Sequence, residues 1–298
     1  MAATILHSPP AASFRQTANH VLFVEGHADD SFDPTVLNEF FQKQRLWKLR
    51  IKPLGPCFNV RAAAEALHPH HPTYYFIIDR DHHDDAHVEQ HWRDFPNPTR
   101  CNLLVWRRKE LESYFLEPAY LSQSTYCNTT RDKLLDQLVK ETQRRIWLEI
   151  TNHVIVSIRE ESKETWITTF DQVTNFGSRE AALKMLVERR EFPKKRRSVA
   201  RLLDANEIQT RFNDAQQLFL DGDSLMAGRG RWMERMSGKE ILNALTTSKH
   251  FKVTDANGKE IRGKEKTELV VKDLLGLPLM QQPRDIQDLH KLLCAVVQ

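Results

Sequence analysis

Apolar and polar positions alternate in two ways along this chain, and the change falls near residue 106. Up to there, short β-branched and aromatic runs bounded by turn residues read as strands: VLFV at 21–24, WKLRIK at 47–52, YYFII at 74–78 and CNLLVW at 101–106. VLFV and YYFII contain no polar position, which suits strands buried on both faces. Helical spacing fills the gaps. Val36, Leu37, Phe40 and Phe41 share one face of a helix that Asp33 is expected to cap, with Pro34 in its first turn. NVRAAAEALH (59–68) is helix-prone and ends at HPHHP, because proline disfavours helix in the residue before it. A short helix is expected from His83 to Trp92, closed by PNP. The order β-α-β-α-β-α-β predicts an α/β fold with a mostly parallel sheet.

Beyond Trp106 the pattern turns helical. RRKELESYFLEP reads as an amphipathic helix, and 131–162 as one long helix or two abutting ones, part of which suits a dimer or partner contact. Further helices are expected at 178–189, 204–220, 237–246, 264–275 and 284–296, with KVTD (252–255) the one weak strand. This divides the chain into an α/β domain, 1–125, and a helical region, 126–298.

Composition narrows the class without naming a partner. A net charge of +3 over 298 residues gives no global pull toward polyanions, so any basic signal is local. Four cysteines (57, 101, 127, 294) without a CxxC pair suit a reduced, cytoplasmic interior better than a disulfide framework or zinc finger. No apolar stretch approaches the ~20 residues of a membrane span. The first twenty residues lack the basic start and apolar core of a signal peptide.

Chemistry concentrates where the two fully apolar strands end. Val21–Val24 stops at Glu25, with Asp29 four residues on and Asp30 beside it; Tyr74–Ile78 stops at Asp79, with Asp81 two residues on. Open α/β sheets bind ligands at the carboxyl ends of their strands. Four carboxylates converging there repel one another unless a cation sits among them. A hard divalent ion with oxygen ligands, Mg²⁺ or Mn²⁺, answers that need.

Taken in order, VEG-x-x-D, IIDRD and RRKELESY resemble the Toprim fold of OLD-type nucleases. The resemblance is greatest to the small stand-alone Toprim effectors that accompany ABC-type ATPases in PARIS-type anti-phage defence. It covers roughly 18–118, with SGKEILNAL (237–245) similar to a later lysine-bearing motif. It implies that 1–125 is a catalytic domain in which Glu25 is the Toprim glutamate and Asp29 the second acid. Asp79 and Asp81 match the DxD pair, and Glu112, with Glu110 sharing its role, matches the last acid. In that arrangement Asp79, Asp81 and Glu112 hold one ion, Glu25 and Asp29 a second, and Lys239 faces the phosphate. The implied activity is metal-dependent endonuclease cleavage by a toxic effector. A partner ABC-type ATPase would hold it inactive, and once released it would cut RNA, specifically tRNA, as a homodimer. A DNA nuclease or nickase with the same site, and a catalytically silent ATPase-binding subunit, are the other readings. The chain has no Walker A motif, so ATP dependence would lie in the partner.

Two further signals compete or add. His82 and His83 abut the DxD pair, and His83, His87 and His91 recur every four residues on one helix face. A His/Asp metallohydrolase with His82, His83, Asp84 and Asp85 as ligands is therefore an alternative; otherwise His82 and His83 are expected near the nucleic acid. RREFPKKRRSVAR (189–201) packs seven cations around Pro193, and Lys194, Lys195, Arg196 and Arg197 are its candidate phosphate contacts.

Overall fold

In a computed structural model, residues 20–68, 70–97, 102–164, 178–222, 224–226 and 230–297 are described. The four expected strands form: β1 His20–Val24, β2 Leu49–Pro53, β3 Tyr74–Ile78 and β4 Leu103–Val105. They make one all-parallel sheet in the order β2-β1-β3-β4. Helices α1 (Phe32–Lys43), α2 (Cys57–Leu67) and α3 (Asp85–Asp94) are the crossovers. The fold is α/β with a helical C-terminal part, and the architecture is consistent with a Toprim-like sheet. Leu22, Val24, Tyr75 and Phe76 are fully buried, as their unbroken apolar runs require. Val36, Leu37, Phe40 and Phe41 turn the apolar face of α1 inward.

Two local expectations change. Ser31, not Asp33, occupies the N-cap position of α1, and its Oγ accepts from the His27 and Ala28 amides at 3.2 and 3.1 Å. Asp33 lies inside the first turn. RRKELESYFLEP is not an amphipathic helix but a 3₁₀ run, Leu111–Leu116, followed by the short α4, Pro118–Leu121. All six residues of the 3₁₀ run are buried, so it has no solvent face, and Pro118 bars the α conformation at Glu117.

The remaining helices are α5 (Arg131–Glu164), α6 (Arg179–Val187), α7 (Glu191–Leu202), α8 (Ala205–Phe219), α9 (Trp232–Arg235), α10 (Gly238–Thr247), α11 (Gly263–Leu274) and α12 (Arg284–Val297). KVTD contributes only an isolated bridge, Thr254 to Glu260. The chain divides not at 125–126 but into Met1–Arg144 with Ser224–Gln298, and Arg145–Asp223. The reason is hydrophobic. Ile241, Leu242, Val270, Val271, Leu289 and Leu293 are buried, with α10 packed on the 3₁₀ run and α11 on α10 and α1, so these helices complete the sheet's own core.

The second unit, taken by itself, packs α7 on α8 and ties Glu161 to Arg201 and Arg211. Trp147 stacks on Phe212 with centroids 6.2 Å apart, and Trp147, Leu148 and Ile155 remain more than half exposed. Among the described residues, no helix is long and apolar enough to cross a membrane.

Candidate metal centre at the sheet rim

From β1 the chain crosses outward to β2, then back past β1 to β3 and on to β4. Adjacent strands whose connections leave in opposite directions open a crevice at their carboxyl ends, the ligand position of open α/β sheets. Glu25 and Asp79 are the first residues past those two ends. The Asp79 amide donates to Glu25 Oε1 at 2.8 Å. The amide of Cys57, first residue of α2, also donates to Glu25. Burial nevertheless raises the Glu25 carboxyl above its ordinary value, opposed by these two donors and reinforced by Asp81.

Four more acids surround Asp79. Its carboxyl lies well above the usual aspartate range through burial, then through Asp33, Glu25, Glu110 and Glu112. Its Oδ1 is buried with no hydrogen-bond partner among the described residues. Asp33 is likewise raised well above its ordinary value, by burial and then by Glu112, Glu25 and Glu110, with Lys239 opposing. Glu112, 8% exposed, is pushed up to about 7 by burial and by Glu110, again with Lys239 opposing.

Lys239 reaches the acids because α10 docks on the 3₁₀ run. Glu110 Oε1 accepts from Ser237 Oγ at 3.0 Å and from the Lys239 amide at 2.6 Å, holding the start of α10. Only glycine fits next to them: a Cβ on Gly238 would lie 2.4 Å from the backbone nitrogen of Ser113. A cavity of about 530 Å³ opens alongside, its wall including Phe32, Glu112, Lys239 and Thr267.

The expected residues thus fall into three groups. Glu25, Asp79, Glu110, Glu112 and Lys239 come together. Asp81 stands at the edge of the group: it is exposed, takes the left-handed conformation (φ 44°), and acts on Glu25 and Cys57. Asp29 does not join. Its side chain is 72% exposed and pairs with Lys52 at 3.3 Å, while Asp30 is exposed. Asp33 takes the place expected for Asp29. An Asp-Pro at a helix start signals a cap; only the loop closure by Ser31 puts this aspartate one step into the helix and over the crevice.

The histidine alternative loses its carboxylates. Asp84 caps α3 by accepting from the His87 amide at 2.8 Å, and Asp85 binds Arg80 and Arg235. His83 stacks on His87 with centroids 4.5 Å apart and accepts from Arg61 Nη2 at 2.5 Å. Burial, with Arg61 adding, pushes His83 down to about 4, so it is neutral. His82 is exposed. The basic run forms α7 in the second unit, where Lys194, Arg196 and Arg197 are exposed and Lys195 Nζ donates to the Ser162 carbonyl at 2.6 Å.

The donor set matches a hard cation in chemistry, being all oxygen with one buried acceptor unsatisfied. Among the described residues, no three His, Cys, Asp or Glu side chains already stand close enough to grip an ion. No family model, curated protein or solved structure matches the chain.

Proposed function

We propose that the chain is a divalent-metal-dependent endonuclease of the Toprim type. The observation that carries this reading is the buried Asp79 Oδ1, without a hydrogen-bond partner among the described residues, amid four further carboxylates, with Lys239 opposing their charge at Asp33 and Glu112. Asp33, Asp79 and Glu112 would hold one Mg²⁺ or Mn²⁺, and Glu25, with Asp81 beside it, a second. Such ions, when bound, would supply Lewis acidity, making a water easier to deprotonate and offsetting negative charge on the phosphate. Glu25 is oriented by two backbone amides, and its raised affinity for a proton suits it to accept one from an attacking water. Lys239 presents its ammonium to charge developing on the phosphate. The Toprim resemblance extends the proposal. The chain would be a cytoplasmic anti-phage effector, held by an ABC-type ATPase and acting on tRNA as a homodimer after release.

The test incubates the pure chain with total RNA and plasmid DNA in Mg²⁺, Mn²⁺, Zn²⁺ or chelator. Cleavage supported by Mg²⁺ or Mn²⁺ but not Zn²⁺ is expected, lost in Glu25→Gln with an unchanged melting temperature. Cutting of plasmid alone would replace RNA by DNA as substrate. Full activity in Glu25→Gln would remove the glutamate from the mechanism. Ion binding by calorimetry without cleavage of either would leave a silent, ATPase-binding subunit.

A further inference from the structure

β2 is a sheet edge, and the chain that leads into it is unusual in charge. From Gln42 to Lys52 there are five cations and no acid, and all five are exposed. Leu46, Leu49 and Ile51 anchor this stretch in the core at 6–8% exposure, which turns the intervening cations outward. In their midst Trp47 is 71% exposed, whereas Trp92, Trp106 and Trp232 are all buried. Between this edge and α1 lies a groove of about 660 Å³, walled by Asn38, Gln42, Trp47, Arg50, Lys52 and Lys272.

The two acids of the groove wall are already paired. Glu39 faces Lys43 at 3.1 Å, and Asp29 faces Lys52. Arg50 and Lys272 have no ion-pair partner among the described residues. An exposed indole in a cationic groove with amide side chains has the composition of a surface that stacks bases while tracking a phosphate backbone. The groove also points to the rim. Pro53, the last residue of β2, is in register with Val24, immediately before Glu25, and the two strands continue into a Gly26–Gly55 bridge.

We propose that this edge groove binds single-stranded nucleic acid, a base stacking on Trp47 and phosphates lying along Arg50, Lys52 and Lys272. The inference rests on the nuclease reading for its purpose: a strand laid on β2 is led over roughly 20 Å toward Glu25. It does not rest on that reading for its test. Binding of fluorescein-labelled oligouridine and oligothymidine to the full chain is measured by anisotropy in EDTA, where no metal-dependent cleavage runs. Trp47→Ala is expected to weaken binding about tenfold or more, with Trp47→Phe restoring most of it. Arg50→Ala with Lys272→Ala should lower the log–log salt slope by about 1.4, at about 0.7 per lost contact. Trp47 is exposed, so these variants should melt like the parent. The better-bound oligonucleotide tells RNA from DNA. Binding of neither, or binding that Trp47→Ala and the double variant leave unchanged in strength and salt slope, overturns the proposal and leaves the groove to a protein partner. If oligonucleotides bind as expected but are not cut when Mg²⁺ is restored, the nuclease reading fails and the groove stands.

Discussion

Replacing Glu112 by glutamine should make the metal-free protein more stable at pH 8, although it removes a native side chain from the core. Burial and Glu110 push the Glu112 carboxyl from its ordinary 4.5 up to about 7. The folded state therefore binds this proton more tightly than the unfolded state does. Stability is fully present below about pH 4.5 and falls as pH rises through 7. A change from 4.5 to about 7 corresponds to about 3 kcal/mol, an upper figure because relaxation and water entry reduce it. Glutamine retains the shape and removes the charge. With roughly 2–4 °C per kcal/mol for a unit of this size, the variant should melt up to about 6–12 °C higher at pH 8 and nearly unchanged at pH 4.5. Calorimetric melting in EDTA at both pH values reads the difference. Adding Mg²⁺ should raise the parent's melting temperature more at pH 8 than at pH 5.5, because the ion competes with protons for the same oxygens, and should do less for the variant. A variant destabilised equally at both pH values would mean that Glu112 is held by ordinary contacts, and the account of a repelling acid cluster would be wrong.

Two other outcomes follow from the same geometry. Asp33→Asn should abolish metal-dependent cleavage while Asp29→Asn leaves it within a few-fold, measured on the same RNA and DNA substrates; the reverse order would restore Asp29 to the site. Gly238→Ala should destabilise the protein by about 1–3 kcal/mol, as overpacking does, and so melt at a lower temperature, since its Cβ would meet the Ser113 backbone at 2.4 Å. Unchanged melting there would show that α10 can draw back from the 3₁₀ run at no cost.

Much of the site was legible because strands announce both themselves and their ends. Unbroken apolar runs at 21–24 and 74–78 fixed where the rim begins, and so placed Glu25 and Asp79 without knowledge of the strand order. Lys239 and Glu110 could be guessed only through the resemblance, since their meeting depends on Gly238 letting two backbones touch across 125 residues of sequence. Asp33 escaped because local rules favour an aspartate before a proline as a cap, and nothing local reveals that Ser31 fills that position first. The division of the chain was missed for a related reason. Helical periodicity shows that 237–246 and 264–275 have an apolar face, but not that the face lies on the sheet's own core.

The excess of negative charge at the rim is not for want of arginine nearby in the sequence. Arg80 lies between Asp79 and Asp81 in sequence, yet its side chain turns into the interior, donating to the Arg107 and His83 carbonyls and to Asp85. Arg107 and Arg108 come just before Glu110, yet Arg107 pairs with Glu89 and Asp285, and Arg108 with Glu117. Arg235, three residues before Gly238, completes the ring on Asp85. Each guanidinium close in sequence to the cluster is thus held by an acid outside it. Had the rim acids served only to brace the fold, one of these side chains could have turned toward Asp79 and satisfied its buried oxygen. On the proposed metal reading, a divalent ion would satisfy the Asp79 oxygen that none of these guanidinium groups reaches.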